Sequence, residues 1–247
     1  MLLISALAFD YDGTLATEGV VHERTLEALR RLKRSGRKLL LVTGRELPDL
    51  RRVFACLDIF FDAVVAENGA LFHRPELAEA EPLGERPSEA LVAGLKRRGV
   101  EPLSIGRSIV ATSREQAAPV LEAIKEAGLG WQVIFNKSSL MCLPPGVNKA
   151  SGLLHALRKL DLSPLNVLGA GDAENDEAFL AVCGVSVAVA NALPALKRAA
   201  DIVAPAAEGD GVVWIAEQLL DGPPDALAAK VRRRDLEVGR KAGSAAP

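Results

Sequence analysis

The stretch LISALAFDYDGTLA, residues 3–16, decides how the rest of the chain is read. Its first seven residues form a continuous run that is apolar but for Ser5, ended by the turn-forming sequence Asp10-Tyr11-Asp12-Gly13. A short apolar run bounded by a turn is the pattern of a strand covered on both faces. Two carboxylates, Asp10 and Asp12, then stand where that strand ends. Open α/β sheets build ligand sites at the carboxyl ends of their strands.

Working outward, the same alternation repeats. Leu26, Leu29 and Leu32 recur at helical spacing within residues 22–35, and Gly36 is a natural stop. KLLLV at 38–42 is a second buried strand ending at Thr43-Gly44-Arg45, followed by a helical stretch over 46–56 and a strand over 62–66. After residue 74 a Pro- and Glu-rich segment, RPELAEAEPLGERP, reads as a loop. Beyond it the pattern is helix-strand-strand, twice: a helix at 88–98 with strands at 101–105 and 108–112, then a helix at 114–127 with strands at 131–135 and 139–143. From Asn148 the first pattern resumes, with helices at 149–160, 174–182, 194–199 and 210–220 and strands at 165–169, 185–189 and 201–204. The expected fold is α/β: a doubly wound parallel sheet interrupted by an inserted, small α+β domain. The expected boundaries are 1–78 and 144–222 for the discontinuous core, 79–143 for the insertion and 223–247 for a basic C-terminal tail.

Composition narrows the function. Of 247 residues 49% are hydrophobic, enough for a substantial core, and 30 Lys plus Arg against 32 Asp plus Glu leave a net charge of −2. Such a balance carries no global attraction to nucleic acid or to an anionic membrane, and 4% aromatics argue against base-stacking platforms in this chain. There is no run of about 18 apolar residues, the length a membrane span needs. The N-terminal apolar run has no basic flank and does not read as a signal peptide. Cys56, Cys142 and Cys183 are odd in number and lack CxxC spacing. They read as small buried hydrophobes in a reducing, cytoplasmic compartment.

The chemistry lies at the strand ends. Close carboxylates repel unless a cation or a shared proton compensates. A second acidic cluster, GAGDAENDEAF, follows the strand at 165–169 and offers Asp172 and Asp176. Hard oxygen ligands around one small cation suit Mg²⁺ better than zinc. A carboxylate beside such an ion can be a ligand, a nucleophile or both. Thr43 adds a hydroxyl, and Lys149 an ammonium at the start of a helix. Both suit the oxygens of a transferring phosphoryl group.

FDYDGTL at 9–15, LVTGR at 41–45, Lys149 in NKASGL and GDAENDEAF at 171–179 together resemble the haloacid dehalogenase (HAD) phosphatase superfamily. The place of the insertion and AENGALF at 66–72 resemble its C2-capped, Cof-like class IIB branch, which includes sugar-phosphate, sucrose-phosphate and phosphoglycolate phosphatases. The resemblance implies a Rossmann-like HAD core with a C2-type cap and an Mg²⁺-dependent phosphatase for a small phosphomonoester. It implies Asp10 as nucleophile and metal ligand. Asp12 becomes the acid/base, with its backbone carbonyl on the metal. Thr43, Gly44 and Lys149 hold phosphate; Asp172 and Asp176 serve the metal; Asn175 faces the phosphate or metal; Arg45 and Asn68 reach substrate. Arg107 and Lys137, in turns of the insertion, are candidate substrate contacts. A phosphomutase of the same superfamily stays open at this stage. A non-enzymatic phospho-acceptor module fits poorly, because it needs neither the insertion nor the second acidic cluster.

Overall fold

The computed structural model describes residues 4–222 and Leu227. The expected basic tail, 223–247, lies outside the described residues apart from Leu227.

The chain opens with β1 (Ala6–Phe9), α1 (Glu23–Arg34), β2 (Lys38–Val42), α2 (Leu47–Val53), α3 (Leu57–Phe60), β3 (Ala63–Ala66), β4 (Leu71–Arg74) and β5 (Glu79–Pro82). After a middle segment it resumes with α6 (Lys149–Lys159), β10 (Val167–Gly171), α7 (Glu177–Val182), β11 (Val185–Ala188), α8 (Pro194–Ala199), β12 (Ile202–Val203) and α9 (Glu208–Leu220). Among the described residues these strands form an eight-stranded sheet in the order β12-β11-β10-β1-β2-β3-β4-β5. β1 pairs in parallel with both β2 and β10. The strand order therefore reverses at β1, and the crevice beside it opens over Asp10 and Asp172, the residues that follow β1 and β10.

The composition of β1 explains the double winding. All four of its residues are fully buried. Leu7 and Phe9 enter the cluster with Leu29 and Leu32 of α1 and Val212 and Ile215 of α9. Ala6 and Ala8 point the other way, to Leu153, Ala156 and Leu157 of α6 and Phe179 of α7. Period-two alternation thus sends large residues to one helical layer and small ones to the other. Burying a side chain such as Leu7 contributes about 1.5–3 kcal/mol, and Leu7→Ala would cost about 2–5 kcal/mol.

The middle segment contains α4 (Glu89–Arg97), β6 (Ser104–Ile105), β7 (Val110–Ser113), α5 (Ala117–Glu126), β8 (Gln132–Asn136) and β9 (Ser139–Leu143). Its strands make an antiparallel sheet in the order β6-β7-β9-β8. Leu140 and Cys142 of β9 pack beneath Leu91 and Leu95 of α4 and Val120 and Ile124 of α5. Met141 and Leu143 alternate to the opposite face and meet Ala70 and Val147 of the larger body. One strand thereby faces both its own helices and the larger body.

Four expectations need correction. The segment after residue 74 is not all loop: β5 pairs antiparallel with β4, and β4 with β3. The large sheet is therefore mixed, and an insertion starting at 79 would take β5 out of the sheet in which it pairs. Glu79, Glu81 and Pro82 concealed this strand, because edge strands carry charges and proline that central strands exclude. The helix expected over 46–56 breaks at Phe54, whose φ of −134° and ψ of 77° are not helical. Its ring packs instead on Tyr11, Phe60 and Phe61, with centroids 5.9–6.3 Å apart. The helix expected over 174–182 begins as a 3₁₀ turn, Glu174–Asp176. Finally, Cys142 is buried and Cys183 partly so, but Cys56 is exposed at the break between α2 and α3.

Candidate active site

Strand ends and helix starts converge on one acidic cluster. Asp10 follows β1; Asp172 and Asp176 lie on the loop after β10. All three are buried, and one oxygen of each lies within 4.8 Å of the others. Asp176 is fixed by backbone donors, since Asp172 N and Ala173 N both bond its Oδ2, at 2.8 and 2.9 Å. A side chain at Gly171 would collide with it: a Cβ there would lie 2.7 Å from Asp176 Oδ2. Gly13 is required for a similar reason. It holds φ +84°, and a Cβ would sit 2.5 Å from Asp172 Oδ2.

Two ammonium groups face these carboxylates. Lys149 is 1% exposed and bonds Asp10 Oδ1 at 2.5 Å and Asp176 Oδ1 at 2.6 Å. Its place is set by the start of α6, where Asn148 and Ser151 form a reciprocal capping box. That helix start packs against the Asn68-Gly69 turn so closely that a Cβ on Gly69 would come 1.9 Å from Asn148 O. Lys137, from the β8–β9 turn, bonds Asp172 Oδ2 at 2.6 Å.

Burial pushes the Asp10 carboxyl well above the usual carboxylate range, and the Asp176 and Asp172 charges push the same way against the pull of Lys149. Burial also raises Asp172, opposed by its bond to Lys137. For Lys149, burial works towards the neutral amine, yet Asp10 and Asp176 prevail and hold it above an ordinary lysine. Three carboxylates against two ammonium groups leave a net negative, all-oxygen donor set. That set fits a hard divalent cation, with Asp10, Asp172 and Asp176 as its holders.

The other expected residues fall into two groups. Asp12 stays out of the triad. Arg45 grips it with Nε to Oδ2 at 2.7 Å and Nη2 to Oδ1 at 2.8 Å, while Arg45 Nη1 bonds Asp49 Oδ2 at 2.6 Å. The bonds to Asp12 hold Arg45 charged against its partial burial. Thr43 is buried, and its Oγ1 accepts from Arg45 N at 3.1 Å. Gly44 lies beneath the middle sheet, where a Cβ would be 3.3 Å from Met141 Sδ. Asn68 and Asn175 pair, Asn175 Nδ2 donating to Asn68 Oδ1 at 2.9 Å. This leaves Asn68 Nδ2 and Asn175 Oδ1 buried without partners, a donor and an acceptor free for a ligand. Arg107 is elsewhere. It lines a cleft of about 860 Å³ with Glu46, Arg51, Glu67, Arg86 and Ile105.

Residue-by-residue reading of the sequence missed three contributors, Asp49, Glu174 and Glu67, while the Thr14 hydroxyl ties its loop as the sequence suggests. Asp49 is the second carboxylate on Arg45. Glu174 accepts from Lys137 N at 3.1 Å and from Arg114 Nη2 at 3.2 Å, tying the middle sheet to the acidic loop. Thr14 Oγ1 donates to Asp172 Oδ1 at 3.4 Å. Glu67 is buried at 1% exposure and accepts from Ser108 N at 2.9 Å. Burial raises its carboxyl above an ordinary glutamate, opposed by backbone donors of Ser108 and Arg107. The Asn-Gly pair beside it signals a left-handed turn, and Glu67, Asn68 and Gly69 do hold φ of 50°, 53° and 104°.

Comparison with known proteins agrees with this geometry. A family model described as haloacid dehalogenase-like hydrolase matches residues 7–127 and 104–215. Phosphoglycolate phosphatase 2 of Saccharolobus solfataricus is 32% identical over 226 residues, covering 87% of this chain and 92% of its own. Phosphoglycolate phosphatase of Methanopyrus kandleri is 30% identical over 234 residues, covering 89% and 98%. A solved HAD subclass IIB sugar phosphatase shares the fold, with a TM-score of 0.71 at 19% identity over 89% of this chain and 100% of that one. Motifs, topology and relatives agree: the chain belongs to the haloacid dehalogenase-like hydrolases.

Proposed function

We propose that this protein is an Mg²⁺-dependent phosphatase that hydrolyses a small phosphomonoester through an aspartyl-phosphate on Asp10. The observation that carries the reading is the position of Asp10, at the end of β1 in the strand-order crevice, with Lys149 on one oxygen at 2.5 Å. The names of the relatives in Saccharolobus and Methanopyrus support 2-phosphoglycolate or a close analogue as substrate. Three free cysteines support a reducing, cytoplasmic setting.

The chain's own groups suffice for the proton and bond accounting. A free oxygen of Asp10 attacks phosphorus; the new Asp10–phosphorus bond forms as the ester bond to the leaving oxygen breaks. Asp12 in its acid form gives that oxygen a proton. Water then attacks the phosphorus of the aspartyl-phosphate and loses a proton to the Asp12 carboxylate. The bond to Asp10 breaks, and inorganic phosphate and the original acid form of Asp12 result. Arg45 keeps Asp12 aimed throughout. Lys149, Thr43 and the unpartnered Asn68 amide N–H face the phosphoryl oxygens, where negative charge must be held. Asp10, Asp172 and Asp176 would hold Mg²⁺, which would supply further charge neutralisation there.

The test is phosphate release from 2-phosphoglycolate and from a panel of phosphorylated metabolites. Mg²⁺-dependent release that excess chelator abolishes is expected. Full activity in chelator overturns the metal assignment, and an isomerised phosphoester without free phosphate overturns hydrolysis in favour of phosphotransfer.

A further inference from the structure

The β8–β9 turn reaches from the middle sheet into the catalytic cluster, and it does so by construction. Lys137 sits at its tip with φ of 51°. Its backbone N–H donates to Glu174 Oε2, on the same loop that carries Asp172 and Asp176. Two residues before the tip, Phe135 is covered by the Arg114 guanidinium at 4.5 Å, and Arg114 in turn bonds the other Glu174 oxygen. Backbone, aromatic face and ion pair therefore converge on one glutamate and fix where the Lys137 side chain starts.

The cations around the cluster differ in what they have left to offer. Lys149 is buried and holds two carboxylates. Arg45 is committed to both oxygens of Asp12 and to Asp49. Lys137 has a side chain 48% exposed, and among the described residues its ammonium bonds Asp172 alone. An ammonium carries three donors, so two remain for a ligand at this half-exposed position. Arg107, the other turn cation of the middle segment, lines a cleft with Glu67 and Arg86 whose lining does not include Asp10, Asp172 or Asp176.

We propose that Lys137 is the specificity residue that recognises an anionic substituent on the leaving alcohol, so that the enzyme selects phosphorylated short-chain acids. This rests on the phosphatase reading above and assigns to it the residue that reads the substrate's acid group. In this reading the leaving alcohol exits on the side where the Lys137 ammonium is exposed, and its carboxylate takes donors that Asp172 leaves unused. A neutral substituent gains nothing there, and a cationic one is repelled.

Three phosphoesters of similar size test it: 2-phosphoglycolate, ethyl phosphate and phosphoethanolamine, whose substituents are anionic, neutral and cationic. Wild type should prefer them in that order. Losing a charge-assisted contact should lower the phosphoglycolate-to-ethyl-phosphate ratio of kcat/KM by about 10- to 150-fold in Lys137→Ala. Lys137→Arg should restore part of it. Calorimetric binding of 3-phosphonopropionate against propylphosphonate, in Mg²⁺ buffer, gives a second readout that needs no turnover. The same preference should appear there in wild type and vanish in Lys137→Ala. An unchanged ratio in the variant, by either assay, overturns the assignment. Absence of hydrolysis of every ester, with the binding preference intact, would overturn the phosphatase reading and leave the role of Lys137 standing.

Discussion

Arg45 and Asp12 form a two-pronged ion pair, with 2.7 and 2.8 Å bonds to the two carboxylate oxygens. The pair lies beside the acidic triad rather than in it. Its geometry gives the two aspartates different partners: Asp10 faces Lys149, and Asp12 is held by a planar guanidinium. Arg45→Lys keeps the charge but cannot reproduce the fork. It should lower kcat by about 10- to 100-fold while changing KM much less, as expected when two charge-assisted bonds aim an acid. Steady-state kinetics decide it: a rise in KM alone would make Arg45 a substrate contact instead.

Lys149 is buried between Asp10 and Asp176. Lys149→Met would leave two buried carboxylates without their counter-ion, a loss of about 3–5 kcal/mol. Denaturant unfolding in chelator should show a drop of that size. Added Mg²⁺ should recover more stability in the variant than in wild type, because it replaces a missing positive charge. Equal recovery in both would contradict a shared carboxylate cluster.

Gly69 is pinned by its conformation and its neighbour. It holds φ +104°, and an added Cβ would lie 1.9 Å from Asn148 O. Gly69→Ala should destabilise by more than about 2 kcal/mol and, by moving the start of α6, displace Lys149 and reduce turnover. Gly36 provides the control: it has φ +84° but nothing within 4 Å. Gly36→Ala should cost only the backbone strain, about 1 kcal/mol, with normal activity. Similar losses in the two variants would show that contact with Asn148 does not matter.

Glu67 connects stability to pH. Its carboxyl is raised in the folded state, foremost by burial. The native state therefore binds a proton that the unfolded chain has already released, and stability falls as pH rises from the ordinary glutamate pKa through the raised one. Glu67→Gln still accepts from Ser108 N and should remove that decline. The difference between wild-type and variant unfolding free energies, followed from pH 4 upward, should slope in this direction only across that window. A flat difference would contradict the shift.

The sequence made the catalytic half of the molecule readable for a physical reason. Buried strands need apolar runs, and the residues ending them must be polar if they face a site; Asp10, Thr43 and Asp172 stand out on that ground alone. Lys149 was legible because a capped helix start leaves little freedom in where its first residue lies. β5 was not legible, because an edge strand with Glu79, Glu81 and Pro82 satisfies the rules of a loop as well as those of an edge. The partners Asp49, Glu67 and Glu174 were hidden too. Each is one acidic residue on a polar surface until the fold brings Arg45, Ser108 or the Lys137 turn against it. Lys137 and Arg107 looked alike as turn cations, and only the register of the β8–β9 hairpin separates them.

The central claim is that Asp10 becomes covalently phosphorylated. Acid quenching during turnover of 2-phosphoglycolate, followed by peptide mass mapping, tests it most directly. One phosphoryl group on the peptide containing residues 9–15, at Asp10, absent from Asp10→Asn and lost on continued incubation of the wild-type enzyme, is the expected result. Phosphate release at the wild-type rate by Asp10→Asn, or a phosphoryl group trapped on another residue, would contradict it.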